Sequence, residues 1–298
     1  MRLISYQSER GVRLAARAST HHTGYVDLND ADGDIPHCVK RFLTEVSRDG
    51  AMLARAKRAV ETGKPFAASL DDLMNAGPTY RLLPPVPRPE KVICIGVNYA
   101  DHAAEVGIYV PDEPVVFNKF VSTLIAHGDT IRLPEVSQRV DYEAELVVVI
   151  GKRGRDIARQ DAYDYVAGYC CGNDVSARDW QKEKPGRQWL LGKTFDTFAP
   201  LGPELVFKDG VADPMRLGIQ LRLNGQVMQD SNTNQCIFDV PYLIAYLSQV
   251  VTLEAGDLIF TGTPPGVGDM RTPPVYLQPG DTVEVEIESL GVLKNFVR

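Results

Sequence analysis

The sequence predicts an α+β fold in which a sheet-rich C-terminal domain, residues 84–298, follows a small N-terminal α/β module, residues 1–83. Three observations lead there. From Lys91 onward, short β-branched runs recur between Gly, Pro and Asp residues, the texture of strands joined by turns rather than of long helices. One helical stripe interrupts them, residues 238–250, where Val240, Leu243, Ile244 and Leu247 share a face. Between the two regions stands Pro84-Pro85-Val86-Pro87-Arg88-Pro89, in which four of six residues lack an amide hydrogen and have a fixed φ, so neither regular helix nor central strand can cross it.

Taken in order, the chain opens with a strand-like segment, residues 2–5, followed by a turn region rich in Gly and Asp. Val39, Phe42, Leu43 and Val46 then follow one helix face, as do Met52, Leu53, Ala56 and Val60 after a break at Gly50. Beyond the proline run the expected strands are residues 92–97, 146–150, 166–171, 217–223, 258–260 and 282–287. The stripe at 238–250 reads as a core-packing helix.

Composition bounds the function. With 298 residues, 44% hydrophobic and 24% charged, the chain matches a globular protein rather than a disordered, collagenous or disulfide-built one. A net charge of −7 without a basic patch argues against nucleic-acid binding. The five cysteines (Cys38, Cys94, Cys170, Cys171 and Cys236) lack metal-ligand spacing and read as reduced core residues. The longest apolar run, near residues 146–150, is far short of a membrane span. Met1 to Gly11 shows no targeting pattern, and the expected location is cytoplasmic.

The most informative segment is VDYEAELVVVIG, residues 140–151, which passes from polar to fully apolar. In a strand, Glu143 and Glu145 project from one face, placing two carboxylates at the mouth of a buried sheet. Like charges there call for compensation, and oxygen-only ligands suit Mg²⁺, Mn²⁺ or Ca²⁺ rather than Zn²⁺; a solvated pair on a sheet edge is the other reading. Asp174 follows the apolar run 166–171 in the same way and is either a third carboxylate ligand or a helix N-cap. His102 and Glu105, three apart on a helical turn, make a general base with its orienting carboxylate, or a surface pair. Lys193, among apolar residues, either holds an anionic substrate or snorkels to the surface. Thr261 to Gly268, TGTPPGVG, offers amides and hydroxyls as an anion-binding nest or forms a plain turn. The GxGxxG, phosphate-loop, GxSxG and HExxH signatures are absent.

In this order, the segments VNYADHAAE (97–105), VDYEAELVVVIGKRGRDI (140–157), VAGYCCGNDVSARDWQ (166–181), GKTFDTFAPLGP (192–203) and LIFTGTPPGVG (258–268) resemble the fumarylacetoacetate hydrolase superfamily. The opening MRLISY together with the GKTFDTFAPLGP and NTNQ (232–235) segments is similar to its domain-containing-protein-2 branch. The resemblance implies a mixed β-sandwich roll around the metal, usually in a homodimer. It further implies that Glu143, Glu145 and Asp174 bind Mg²⁺ or Mn²⁺, that His102 and Glu105 form the proton-moving or water-activating dyad on a lid, and that Arg178, Gln181, Lys193 and Thr263 hold substrate oxygens. Fumarylacetoacetate hydrolase proper has its Glu partner far downstream of the His, whereas here it follows by three residues, which argues against fumarylacetoacetate as substrate.

The expected activity is therefore Mg²⁺-dependent chemistry on small β-dicarbonyl or 2-oxo acids through a metal-stabilised enolate. The leading form is C–C bond hydrolysis. Oxaloacetate-type keto–enol tautomerisation or decarboxylation on the same site is the alternative, and a non-catalytic metal- or ligand-binding protein is the alternative from another class. His102, Glu105 and Lys193 are the expected catalytic side chains.

Overall fold

Alternation of buried side chains organises the molecule around one strand, Ala144–Ile150, every residue of which is buried. Leu146, Val148 and Ile150 enter one apolar cluster, while Val147 and Val149 enter another on the opposite face, as a strand covered on both sides requires. The computed structural model describes residues 1–18, 24–75, 79–107 and 110–298; His21 and His22 lie outside these.

The strand sits inside an eleven-stranded sheet whose main path runs Val26–Asp27, Gly11–Arg17, Arg2–Ser8, Ala199–Phe207, Val166–Asn173, Ala144–Ile150, Leu258–Phe260, Val92–Gly96, Val115–Asn118. Its first cluster packs against a five-stranded sheet, Gln226–Asn232, Gly218–Leu223, Thr282–Ile287, Gly291–Val297 and Thr130–Ile131, through Ile219, Leu221, Val283, Val285 and Leu293. The helix Val240–Val250 adds Leu243, Ile244 and Leu247 to this layer, and the Asp239 side chain caps it by accepting from the Tyr242 amide. On the other face lie the helices Val39–Asp49 and Ala51–Thr62, separated by Gly50 in the left-handed region at φ 71°. The result is the mixed α+β roll that the resemblance implies.

The strand Arg2–Ser8 pairs antiparallel with Ala199–Phe207, so residues on either side of the proline run share one sheet. Buried Glu204 fastens that junction, accepting from Arg17 Nε at 2.7 Å, Arg2 Nη1 at 2.9 Å and Tyr25 Oη at 2.7 Å. The expected turn region after residue 5 instead holds the strand Gly11–Arg17, paired along its length with the extended first strand. Of the cysteines, Cys94, Cys170 and Cys171 are buried as expected, but Cys38 is exposed and Cys236 half-buried; all are free thiols.

Sheet topology then collects the chemistry. Ala144 lies opposite Asn173, Val147 opposite Phe260, and Phe260 beside Cys94. The start of Ala144–Ile150 and the ends of Val166–Asn173, Leu258–Phe260 and Val92–Gly96 therefore share one edge, and the segments around Glu143, Asp174, Thr261 and His102 leave from it together.

Candidate active site

Glu143, Glu145 and Asp174 are buried, and each offers a carboxylate oxygen within 4.8 Å of the others. The solvated-pair reading of the two glutamates is thus excluded, although Glu143 stands just before the strand, which begins at Ala144. Asp174 is not an N-cap: the helix Arg178–Lys182 starts at Arg178 with no side-chain cap. Its oxygens face two buried lysines instead, Lys119 Nζ at 2.5 Å and Lys193 Nζ at 2.8 Å. Lys193 does not snorkel; its ammonium also reaches Glu143 Oε2 at 2.9 Å and so bridges two of the three carboxylates. Arg178 Nη1 lies 2.7 Å from Glu143 Oε1 and 3.0 Å from Gln181 Oε1.

This packing sets the charges. Burial pushes the Glu143 carboxyl up, but Lys193 and Arg178 outweigh it and hold the group down at about 2. Glu145 goes the other way: burial first, then Asp174 and Glu143, push its carboxyl well above the usual range, while it accepts a hydrogen bond from the Gly262 amide at 2.8 Å. Burial pulls the Lys119 ammonium down despite Asp174, whereas in Lys193 the burial cost is overcome by Asp174 and Glu143. An all-oxygen set with an uncompensated carboxyl is the donor chemistry that fits a hard divalent cation. Glu143, Glu145 and Asp174 would hold it.

His102, Glu143, Arg178, Gln181, Lys193 and Thr263 line one cavity of about 100 Å³, together with Phe117, Trp189, Val267 and Met270. His102 sits on the helix Ala100–Val106, and its Nδ1 is 2.9 Å from Glu105 Oε2. A carboxylate only accepts, so Nδ1 carries a proton, and in the neutral imidazole Nε2 is the nitrogen with the free lone pair. Glu105 is itself fixed by the Gly266 amide at 2.9 Å. Thr263 Oγ1 accepts from Gln229 Nε2 at 2.9 Å.

The loop after Leu258–Phe260 does act as a nest, but for the protein's own carboxylates. Gly262 donates to Glu145, Gly266 to Glu105, and Gly268 to Asp141 at 2.7 Å. Gly262 and Gly266 need φ of 99° and 100° to aim those amides, a backbone state that favours glycine. All nine residues singled out in the sequence thus meet at one strand-end edge. Three were missed: Lys119, Asp141 and Gln229. Lys119 carried the same signal as Lys193, a lysine among apolar residues, and Asp141 stands two residues before Glu143; nothing local marks Gln229.

Comparison with known proteins identifies the family. The family model described as fumarylacetoacetate (FAA) hydrolase C-terminal matches residues 91–298. The chain is 47% identical over 296 residues to oxaloacetate tautomerase fahd2, mitochondrial, of Xenopus laevis, covering 99% of this chain and 89% of that protein. It is 50% identical over 299 residues to oxaloacetate tautomerase FAHD2A, mitochondrial, of Bos taurus, covering 100% and 91%. Among solved structures, maleylpyruvate hydrolase from Sphingobium sp. SYK-6, in complex with manganese(II) ion and pyruvate, superposes with a TM-score of 0.78 at 31% identity, covering 100% of this chain and 98% of that one. The chain belongs to the fumarylacetoacetate hydrolase superfamily, in its domain-containing-protein-2 branch, and is an enzyme of the hydrolase or tautomerase kind. The expected cytoplasmic location is overturned, because the relatives from Xenopus laevis, Bos taurus, Homo sapiens and Rattus norvegicus are all named mitochondrial. Among the described residues, no helix is long and apolar enough to cross a membrane.

Proposed function

We propose that the protein is a divalent-cation-dependent keto–enol tautomerase of small 2-oxo dicarboxylic acids, oxaloacetate being the type substrate. The observation that carries the reading is that His102 of the histidine–glutamate dyad and Glu143 of the three-carboxylate cluster line one small cavity. At about 100 Å³ the cavity is small, and its lining of Arg178, Gln181, Lys193 and Thr263 supplies donors for the oxygens of a small acid. Tautomerase in place of hydrolase, the leading expectation from sequence, is favoured by the names of relatives at 47% and 50% identity.

Glu143, Glu145 and Asp174 would hold a Mg²⁺ or Mn²⁺ ion, which would supply Lewis-acid stabilisation of negative charge developing on oxygen. The chain's own residues do the rest. Arg178, Gln181 and Thr263 hold carboxylate and carbonyl oxygens. Lys193, beside them, adds positive charge where the enolate develops. His102 Nε2 takes the proton from the enol oxygen and returns one to the carbon between the carbonyls, so an O–H bond breaks, a C–H bond forms and no proton is consumed. Glu105 keeps the imidazole in the required tautomer. The homodimer that the resemblance implies belongs to the same proposal and is read by analytical ultracentrifugation.

The test follows enol absorbance of oxaloacetate with Mg²⁺-loaded and metal-stripped protein, beside an acylpyruvate panel scored for pyruvate release. Metal-dependent acceleration of enol decay without carbon–carbon cleavage supports the proposal. Acylpyruvate cleavage without tautomerisation makes the enzyme a hydrolase.

A further inference from the structure

Asp141 is not among the residues that line the cavity, yet it joins Arg178, which does, to the loop that carries Thr263. It is fully buried in the short strand Val140–Asp141, and donors from three segments converge on its two oxygens. Oδ1 accepts from the Tyr142 amide at 2.8 Å and the Gly268 amide at 2.7 Å. Oδ2 accepts from Arg178 Nε at 2.8 Å, lies 2.7 Å from Arg178 Nη2, and accepts from the Asp269 amide at 3.0 Å. The approach of Gly268 is so close that a Cβ there would fall 2.6 Å from Asp141 Oδ1 and 1.8 Å from the Val275 carbonyl oxygen, which any larger residue would have to displace.

We propose that Asp141 is the positioning residue for substrate recognition: by holding Arg178 by one edge of its guanidinium and the 261–269 loop by its amides, it fixes the substrate-facing edge of Arg178 in the cavity. The physical reason lies in the fork of the arginine. A guanidinium has a rigid planar array of donors; with Nε donating to Asp141 Oδ2 and Nη2 lying 2.7 Å from the same oxygen without a hydrogen bond of its own, Nη1 is aimed toward Glu143 and Gln181 at the cavity wall. Without that anchor the same group is drawn to whichever carboxylate is nearest, and Glu143 is already in contact. The loop itself stays tied by its Gly262 amide to Glu145 and its Gly266 amide to Glu105, so the loss of Asp141 is felt at Arg178 rather than at the dyad or the carboxylate cluster. The inference rests on the proposed role of Arg178 in holding a substrate carboxylate.

Asp141→Asn keeps one acceptor oxygen and turns the other position into a donor facing donors. Steady-state tautomerisation of oxaloacetate by this variant should show KM raised roughly 10- to 100-fold, the loss expected when a charge-assisted hydrogen bond is misaligned, with kcat within about threefold of the parent and calorimetric Mg²⁺ affinity unchanged. In the Arg178→Ala background the same change should add little further to KM, because both act through one group. Arg178→Lys, which leaves Asp141 intact, is the companion variant if Asp141→Asn does not fold. A single ammonium cannot serve Asp141 and the cavity together, so its KM should rise as far as that of Arg178→Ala.

A parental KM in Asp141→Asn or in Arg178→Lys, or additive effects in the double variant, overturns the inference. A parent with no tautomerase activity defeats the functional reading instead. The crystal structure of Asp141→Asn then decides about Asp141 by itself: Arg178 Nη1 displaced from Glu143 and Gln181 supports the positioning role, and Nη1 unmoved overturns it.

Discussion

Glu145→Gln should uncouple metal binding from proton release. In the metal-free protein the Glu145 carboxyl is pushed well above its ordinary value of 4.5 by burial and then by Asp174 and Glu143. Above pH 4.5 the native state therefore keeps a proton that the unfolded chain has lost. Linkage gives the sign: stability of the metal-free protein falls as pH rises, by at most about 1.4 kcal/mol per pH unit for one proton, until the raised pKa is passed. A cation demands the carboxylate, so binding expels the proton and affinity climbs by up to about tenfold per pH unit across the same window. Titration calorimetry with MgCl₂ in two buffers of different ionisation enthalpy counts the protons directly; above pH 4.5 the parent should release a measurable fraction of a proton, up to one, per ion. Gln keeps the shape and an acceptor for the Gly262 amide but holds no charge. The variant should release none, bind Mg²⁺ roughly 100-fold more weakly for want of one ligand charge, and lose the pH slope of stability. Parental affinity in Glu145→Gln, or binding by the parent without proton release, refutes the reasoning.

Three further outcomes are expected. His102→Ala should lower turnover by ~10²- to 10⁴-fold, the usual contribution of a positioned general base, with Mg²⁺ affinity unchanged by calorimetry; Glu105→Gln should cost less, and the double variant should fall well short of the product of the two. Chelation should abolish activity reversibly, with Mg²⁺ or Mn²⁺ restoring it and Zn²⁺ doing so poorly; turnover that survives exhaustive dialysis against chelator contradicts this. Glu204→Gln should destabilise the fold by about 2–3 kcal/mol in urea melts, since it leaves Arg2 and Arg17 without their buried partner. Burial raises the Glu204 carboxyl, but Arg17, Tyr25 and Arg2 hold it below 4.5. Its stabilising share is therefore present above pH 4.5 and lost on acidification through the lowered pKa, and the variant should show a shallower acid transition.

Elements whose stability is written locally were legible from sequence. The strands Leu258–Phe260 and Thr282–Ile287 fall where their β-branched runs place them, and the helices flanking Gly50 follow their apolar spacing. The strand Ala199–Phe207 did not show because it contains Pro200, Gly202 and Pro203, which break any strand pattern. The sheet tolerates them because its partners change along the strand: Ala199 and Pro200 lie beside Leu124 and Ile125, and the register against Val166–Asn173 shifts between Tyr169 and Cys171. In the site, the acidic residues stood out because carboxylates beside apolar runs are rare, whereas Gln229 acquires meaning only through Ala144 and Thr263, 85 and 34 positions away. Pairings across such distances are made by topology, and no local window contains them.

The loop after Leu258–Phe260 divides its labour in a way that bears on how such an enzyme could change substrates over generations. Its glycine amides at 262, 266 and 268 grip three carboxylates of the scaffold, while Thr263, Val267 and Met270 face the cavity with their side chains. The grip is blind to side-chain identity at those intervening positions but not to their spacing. Point substitutions at 263, 267 or 270 can therefore reshape what the cavity accepts while the proton-transfer apparatus stays in register, whereas inserting or deleting one residue would displace Glu145, Glu105 and Asp141 together. Lineages that diversify in substrate should show this stretch variable in letters and constant in length.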